Sequence, residues 1–381
     1  MREVVIIGVG QTMFGKFADK TPQALGSQAV EQAIKDAGVN PKDIQVAYAC
    51  RQVNGITTAQ SILKGFGVTD IEMINVENAC AGGSSAVRCL WKDIATGIYD
   101  IGIAVGADSM STSHLAGKLL ATREEDLNGH LGMTMPGMFG MVGRRLMETR
   151  GYTAEDLAYV SVKNHRNACL NPNAHYQKEL TMEEVLNSRM IADPITLLQC
   201  CPQTDGAAAL VMCSKDVAKK YTAKPVKIVA SAMGTGTFIS GDYDPTELKV
   251  EKRLAKQVYE TAGIGPEDLD VIELHDAFSC EEIMHYEALG LCKPEDGLAF
   301  LRSGATELNG RIPVNPSGGL LSLGHPLGAS GVRVMCEITL HLRGQAGKRQ
   351  VPKAKVGLAQ MLGGVEAGLE IAAASINILT I

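Results

Sequence analysis

The sequence predicts an α/β protein built from two related halves, with a mainly helical insertion in the first. Three observations carry this. Short runs rich in Val and Ile alternate with longer amphipathic stretches, the block from about 116 to 204 breaks that rhythm, and two stretches of the second half repeat stretches of the first in the same order. Strands that are apolar along their whole length belong to sheets covered on both faces by helices.

Taken in order, the apolar run at 3–9 reads as a first strand and the amphipathic stretch 22–37 as a helix. Strands follow at 44–49 and 72–76, a helix at 81–96 and a strand at 101–106. The block that follows is rich in Met, Asn and Gly with scattered charge and few strand-like runs, so it is expected to be an inserted, mostly helical subdomain. The alternation then resumes with strands at 207–212 and 226–232, a helix at about 245–262, a strand at 269–274 and a helix from 281. The expected division is 1–116 for the first half, 117–204 for the insertion, 205–240 for the return to the first half and 241–381 for the second.

Residues 37–46 and 262–271 agree at five of ten positions, an offset of 262 − 37 = 225. Gly83, Ser85, Val87 and Arg88 match Gly328, Ser330, Val332 and Arg333, an offset of 328 − 83 = 245. Two matches in the same order argue for a duplicated fold.

At 381 residues and about 150 per domain the chain has room for two or three domains and a large core. Lys plus Arg is 36 against 42 Asp plus Glu, so the mild net charge of −6 offers no basic field for nucleic acid. With 45% hydrophobic and 20% charged residues the composition is ordinary, and no run approaches the ~18 apolar residues of a membrane span. The apolar start is shorter than a signal peptide, and the last residues carry no organelle address or lipidation box. Ten cysteines form no CxxC pair and no Cys/His set at zinc-finger spacing, so reduced thiols, a cytoplasmic location and no bound metal are expected. Gly8 and Gly10 begin like a dinucleotide loop but the third glycine is missing, which makes this a strand-exit turn.

Extending the second match back by three residues sets Cys80 opposite His325, since 325 − 80 = 245. Each precedes a small-residue turn and then a helix. Packed about a pseudo-twofold axis, two helix starts converge on one pocket, one bearing a thiol and the other an imidazole. A helix N-terminus favours negative charge, so the thiol pKa is expected to fall, and the adjacent imidazole completes a nucleophile. No large side chain flanks Cys80 in Asn78-Ala-Cys-Ala-Gly-Gly-Ser-Ser-Ala86, which argues against a merely packed cysteine. Five glycines and two prolines between Asn315 and Gly331 force a tight backbone path around His325. His275 follows a strand and precedes a helix, where active-site residues of α/β folds gather.

These motifs resemble the thiolase superfamily, most closely its sterol-carrier-protein type. The resemblance runs through Asn78-Ala-Cys-Ala-Gly-Gly-Ser-Ser, Met138-Phe-Gly, Lys163-Asn-His, Leu198-Gln-Cys-Cys-Pro-Gln-Thr-Asp-Gly-Ala-Ala-Ala209, His275-Asp-Ala-Phe-Ser, Tyr286-Glu-Ala-Leu-Gly-Leu-Cys292 and Gly324-His-Pro. It implies a five-layer α-β-α-β-α core and a homodimer. It further implies a cysteine acyl-enzyme that cleaves a 3-oxoacyl-CoA with coenzyme A as substrate and without a covalently bound cofactor; benzoylsuccinyl-CoA is the narrower expectation. Cys80 would be the nucleophile, His325 its base, and His275 the second imidazole of a hole for the enolate oxygen. The N–H groups of Cys80 and Gly363 would form a second hole, and Cys201, Met138 and Phe139 would contact coenzyme A.

The pattern departs from the family at the residue that protonates the enolate. Many members carry a second cysteine where Met361 stands, and the sterol-carrier type carries one where Ala277 stands. Cys280, one helical turn on, is either a substitute or core. Related proteins with His-Asp-Ala-Phe work with a small zinc-ribbon, oligosaccharide-fold subunit, which would have to come in trans. The alternative is a catalytically weakened thiolase-like acyl-CoA-binding or scaffold subunit. Met133, Met135, Met138, Met141 and Met147 read as core or as an adaptable acyl pocket. Arg144, Arg145, Lys163 and Arg166 read as phosphate contacts or as solvated charge.

Overall fold

The computed structural model describes residues 1–53, 55–118, 120–121, 127–221, 224–237, 244–366 and 370–381. Its strands are β1 (Val4–Gln11), β2 (Val46–Cys50), β3 (Glu72–Val76), β4 (Ile101–Ser109), β5 (Met190–Ala192), β6 (Ile195–Thr196), β7 (Asp205–Ser214), β8 (Val226–Gly234), β9 (Val271–Glu273), β10 (Val356–Glu366) and β11 (Glu370–Thr380). Nine of them form one mixed sheet in the order β3-β2-β4-β7-β1-β8-β11-β10-β9.

The duplication is visible in that order. In the first half β3, β2 and β4 run parallel, and β7 then β1 pair antiparallel. From the other edge, Val314 bridges parallel to Ile272, β9 runs parallel to β10, and β11 then β8 pair antiparallel. Chain position and direction therefore correspond strand for strand. The local repeats correspond too. The helices Pro22–Ala37 and Lys249–Ala262 both end on a left-handed glycine, Gly38 and Gly263, and both are followed by a 3₁₀ turn that starts with proline. The helices Gly82–Thr96 and Leu327–Arg343 start 327 − 82 = 245 residues apart, the offset read from the sequence.

Those two helices form the middle layer. They touch each other, and each reaches strands of both half-sheets; helix Pro22–Ala37 covers the outer face of the first half and helix Lys249–Ala262 that of the second. This is the five-layer α-β-α-β-α arrangement. The central helices cross with backbones in contact, since a Cβ on Gly331 would lie 2.2 Å from the Ser84 nitrogen and one on Gly83 2.6 Å from the Gly328 oxygen. Only glycine permits that approach, and it brings the two helix starts together.

Between β4 and β7 lie helices Met135–Arg150 and Ala154–Ala168, with shorter helices and the small β5–β6 pair. Thr134 caps the first long helix, and a reciprocal Thr153–Asp156 capping box starts the second. The β5–β6 pair was not legible in the sequence because its strands are two and three residues long. Helix Lys249–Ala262 starts later than 245, and β9 is shorter than 269–274. The division expected at 240/241 lies outside the described residues.

Candidate active site

The Ala79–Ala81 3₁₀ turn carries Cys80 into helix Gly82–Thr96. Ala79 is left-handed (φ 46°), a conformation costly for a residue with a side chain, and its N–H donates to Glu77 Oε1 at 2.6 Å. Asn78 Nδ2 donates to Ser85 Oγ at 2.8 Å. Gly363 of β10 packs on the same turn, and a Cβ there would stand 2.2 Å from the Asn78 oxygen. A side chain at 363 would therefore displace the turn.

His275 leaves the end of β9. Its N–H donates to Gln360 Oε1 on β10 at 2.9 Å, and its carbonyl accepts from His285 Nε2 at 2.8 Å. The other nitrogen of His285 meets Glu251 at 2.7 Å; burial lowers the His285 pKa, but Glu251 outweighs it and the pKa is raised. The His275 ring is held by Glu281, whose Oε1 accepts from Nδ1 at 2.8 Å while Oε2 accepts the Ala277 N–H at 3.0 Å.

His325 sits between a π-helical turn, Gly319–Leu323, and helix Leu327–Arg343. Asp276 fixes that turn by accepting the Leu320 N–H at 2.5 Å, and a Cβ on Gly319 would meet the same carboxylate at 2.1 Å. Behind it, Asn164 donates to both Asp276 and Glu282, and Glu282 pairs with buried Lys163 at 2.6 Å. The residue after one histidine thus positions the loop that carries the other.

Ser330 Oγ donates to the Pro326 carbonyl at 3.0 Å, so it is left to accept from His325 Nδ1 at 2.8 Å. This assigns the proton of neutral His325 to Nδ1 and leaves Nε2 with a free lone pair. Nε2 of both histidines is buried and without a hydrogen-bond partner. The rings meet edge-on at 5.4 Å, and one donor atom from each of Cys80, His275 and His325 lies within 4.8 Å of the other two.

The three residues line one cavity of about 400 Å³ with Met135, Phe139, Cys201, Phe278, Leu362 and Gly363 among the other walls. Its mouth carries Lys16, Lys118 and Arg189, which form no ion pair among the described residues. Sequence reasoning did not find them, since they are scattered singly through the chain. The charges it did single out are paired elsewhere: Arg144 with Asp193, Arg145 with Asp244, Lys163 with Glu282 and Arg166 with Glu307. Met138 is in the core at 3% exposure and does not line the cavity, whereas Met135, Phe139 and Cys201 do. Cys280 is fully buried and its thiol points at the Phe139 carbonyl, 3.5 Å away, so it is core.

One expectation is reversed. Burial pushes the Cys80 thiol up to about 12, with the Glu281 charge adding to it; the hydrogen bond from its own N–H works in the expected direction but is outweighed. Burial, helped by His275 and Arg333, holds His325 well below the ordinary histidine range. The resting pair is therefore a neutral thiol beside a neutral imidazole.

The residues from 4 to 216 match the model of the thiolase N-terminal domain, and 232–374 match that of the thiolase C-terminal domain-like family. The chain belongs to the thiolase family. A benzoylsuccinyl-CoA thiolase subunit of Thauera aromatica is 39% identical over 367 residues, covering 95% of each chain. Sterol carrier protein 2 of Oryctolagus cuniculus is 37% identical over 382 residues, covering 94% of this thiolase and 70% of the relative. Among solved structures, a chain of the Ltp2–ChsH2(DUF35) aldolase superposes with a TM-score of 0.85 at 25% identity, covering 99% of this chain and 97% of that one. This thiolase is an acyltransferase that acts on acyl-CoA thioesters.

Proposed function

We propose that this protein cleaves a 3-oxoacyl-CoA with coenzyme A through an acyl-enzyme on Cys80. The observation that carries the reading is the cavity floor, where a thiol meets two imidazoles whose Nε2 atoms are buried and unengaged. His325 takes the Cys80 proton, and the thiolate attacks the keto carbon. The Cα–Cβ bond breaks, and the enolate oxygen lies between the two imidazoles. The N–H groups of Cys80 and Gly363 hold the oxyanion on the acyl side. Coenzyme A then takes the acyl group from Cys80. The intact trio favours an enzyme over a scaffold subunit.

The substrate proposed is benzoylsuccinyl-CoA, giving benzoyl-CoA and succinyl-CoA. The Thauera relative supports it, as does a cavity that joins an apolar wall, including Phe139 stacked on Phe278 at 4.4 Å, to a basic mouth. The relative is called a subunit, and the aldolase neighbour includes a DUF35 component. Both support a small partner of the zinc-ribbon, oligosaccharide-fold type that completes coenzyme A binding. A homodimer core is supported by β3, an end strand with half-exposed side chains whose outer edge is unpaired among the described residues. All ten cysteines are free thiols, which supports a reducing, cytoplasmic setting. No helix among the described residues is long and apolar enough to cross a membrane. The division at 117, 205 and 241 stands as the working description of the chain's units.

A screen of 3-oxoacyl-CoA substrates with free coenzyme A, with and without the partner, tests the reading. Benzoylsuccinyl-CoA should give benzoyl-CoA and succinyl-CoA in equal amounts. Turnover of none of the substrates in either condition would refute it. Calorimetry tests the partner separately: micromolar coenzyme A affinity and full activity for the isolated chain would make it dispensable.

A further inference from the structure

The thiolase reading, on which this inference rests, leaves the enolate without a proton donor. Met361 is fully buried, with Leu362, Gly363 and Gly364 forming that part of the cavity wall, and Ala277 offers only a methyl group. Cys280 faces the Phe139 carbonyl. Cys200 lines the cavity, but its thiol donates to the Thr196 carbonyl at 3.4 Å. Both Glu281 oxygens are occupied. Cys201 remains. Its N–H donates to the Ala277 carbonyl at 2.8 Å, next to the Cys200–Phe278 bridge, so residue 201 runs directly alongside residue 277. It lines the cavity with Cys80, His275 and His325, and its thiol makes no hydrogen bond among the described residues.

We propose that Cys201 is a catalytic acid, its thiol protonating the enolate carbon released by Cα–Cβ cleavage. The lost cysteine of strand-end position 277 is thus replaced from the neighbouring segment. In the step a C–H bond forms and the Cys201 S–H bond breaks, the enolate electrons move to carbon as the thioester C=O is restored, and Cys201 is left as thiolate. That thiolate takes the proton of the incoming coenzyme A thiol. The coenzyme A thiolate attacks the Cys80 thioester, and the expelled Cys80 sulfur recovers its proton from the His325 imidazolium. Burial above all, with the neighbouring acidic groups adding to it, keeps the Cys201 thiol well above the ordinary range, so it rests protonated. That state suits an acid.

The experiment follows the α-carbon directly. The full chain is incubated in deuterium oxide with acetyl-CoA and, separately, succinyl-CoA, and deuterium at the α-position is read by mass spectrometry. Iodoacetamide alkylation of Cys80 is measured in parallel. Cys201→Ala and Cys201→Ser should each lose exchange by at least ~10²-fold, the usual size of one acid–base group, while Cys80 alkylation keeps its rate. Tyr176→Phe, which removes the one side-chain hydroxyl among the described lining residues, should exchange normally. Exchange at the wild-type rate in both Cys201 variants would overturn the proposal, as would loss of exchange in Tyr176→Phe alone. Loss of Cys80 alkylation in both Cys201 variants would assign the residue a structural role and overturn it too. Absence of exchange in the wild-type chain both with and without the small partner would instead overturn the thiolase reading, and this proposal with it.

Discussion

His325→Ala tests how the nucleophile is made. Moving the Cys80 thiol from the ordinary 9.0 to about 12 is 3 pKa units, or about 4 kcal/mol against the thiolate at roughly 1.36 kcal/mol per unit. A thiol at about 12 is only about 10⁻⁵ ionised at pH 7, so with its base removed Cys80 should react with iodoacetamide about tenfold faster for each unit of pH. The wild type should behave differently. Because His325 stays neutral from well below the ordinary histidine range upward, its Nε2 is available throughout neutral pH, and alkylation should plateau there and fall only in acid. The assay is the pH–rate profile of Cys80 alkylation for both proteins, with ultraviolet thiolate absorbance of each at pH 7. Neither should show resting thiolate at Cys80. A plateau that survives in His325→Ala would refute the role of the imidazole, and a thiolate band that Cys80→Ser removes from the wild type would refute the neutral resting pair.

Cys80→Ser should abolish thiolysis, and mass spectrometry of the wild type after incubation with an acyl-CoA should find the adduct on Cys80; an adduct on Cys201 or Cys280 instead would sink the assignment. Glu281→Gln removes the charge that holds the His275 Nδ1 proton, and should cut turnover by about 10²-fold while sparing Cys80 alkylation. Unchanged turnover would remove His275 from the oxyanion site. Glu337 is buried with Arg349 and His341, and although burial opposes ionisation these partners hold its carboxylate well below the usual range. Its contribution to stability is complete above the unfolded carboxylate value, about 4.3, and is lost as pH falls through the lower folded value. Glu337→Gln should therefore cost about 3–5 kcal/mol in urea unfolding at pH 7 and less in strong acid, and an equal cost at both would contradict the ion-pair account.

Much of the fold was legible because it is repetitive and apolar. Continuous Val/Ile runs mark strands buried on both faces, and β1, β4 and β7 are buried along their whole length. The repeats worked because each lies where backbone geometry restricts the residue: Gly38 and Gly263 end helices in the left-handed region, and Gly83 and Gly328 lie at the crossing of the central helices. What escaped was short or context-dependent. The β5–β6 pair is three and two residues long, and the third strand of the second half is reduced to the single bridge at Val314.

The site shows where sequence reading stops. Setting Cys80 opposite His325 needed only the repeat, since equivalent helix starts in duplicated halves converge on the axis between them. Ser330 was visible in the same repeat as the counterpart of Ser85, yet nothing in a one-dimensional match says that it fixes the proton on His325 Nδ1. Glu281 was even closer to hand, six residues after His275, but its role depends on both carboxylate oxygens turning back to the strand end. The sign of the Cys80 shift could not be read at all. A helix start favours the thiolate whatever surrounds it, whereas the burial penalty depends on the side chains that close over the thiol, and these come from β10, the insertion and the 275–281 turn. The two effects oppose each other, and burial is the larger. The same enclosure that makes the resting thiolate costly also lowers His325, so neither partner is charged at rest. Burial thus acts on both groups in the same sense, against the charged form of each, and it is the geometry of the pair rather than a standing charge that sets what Cys80 can do.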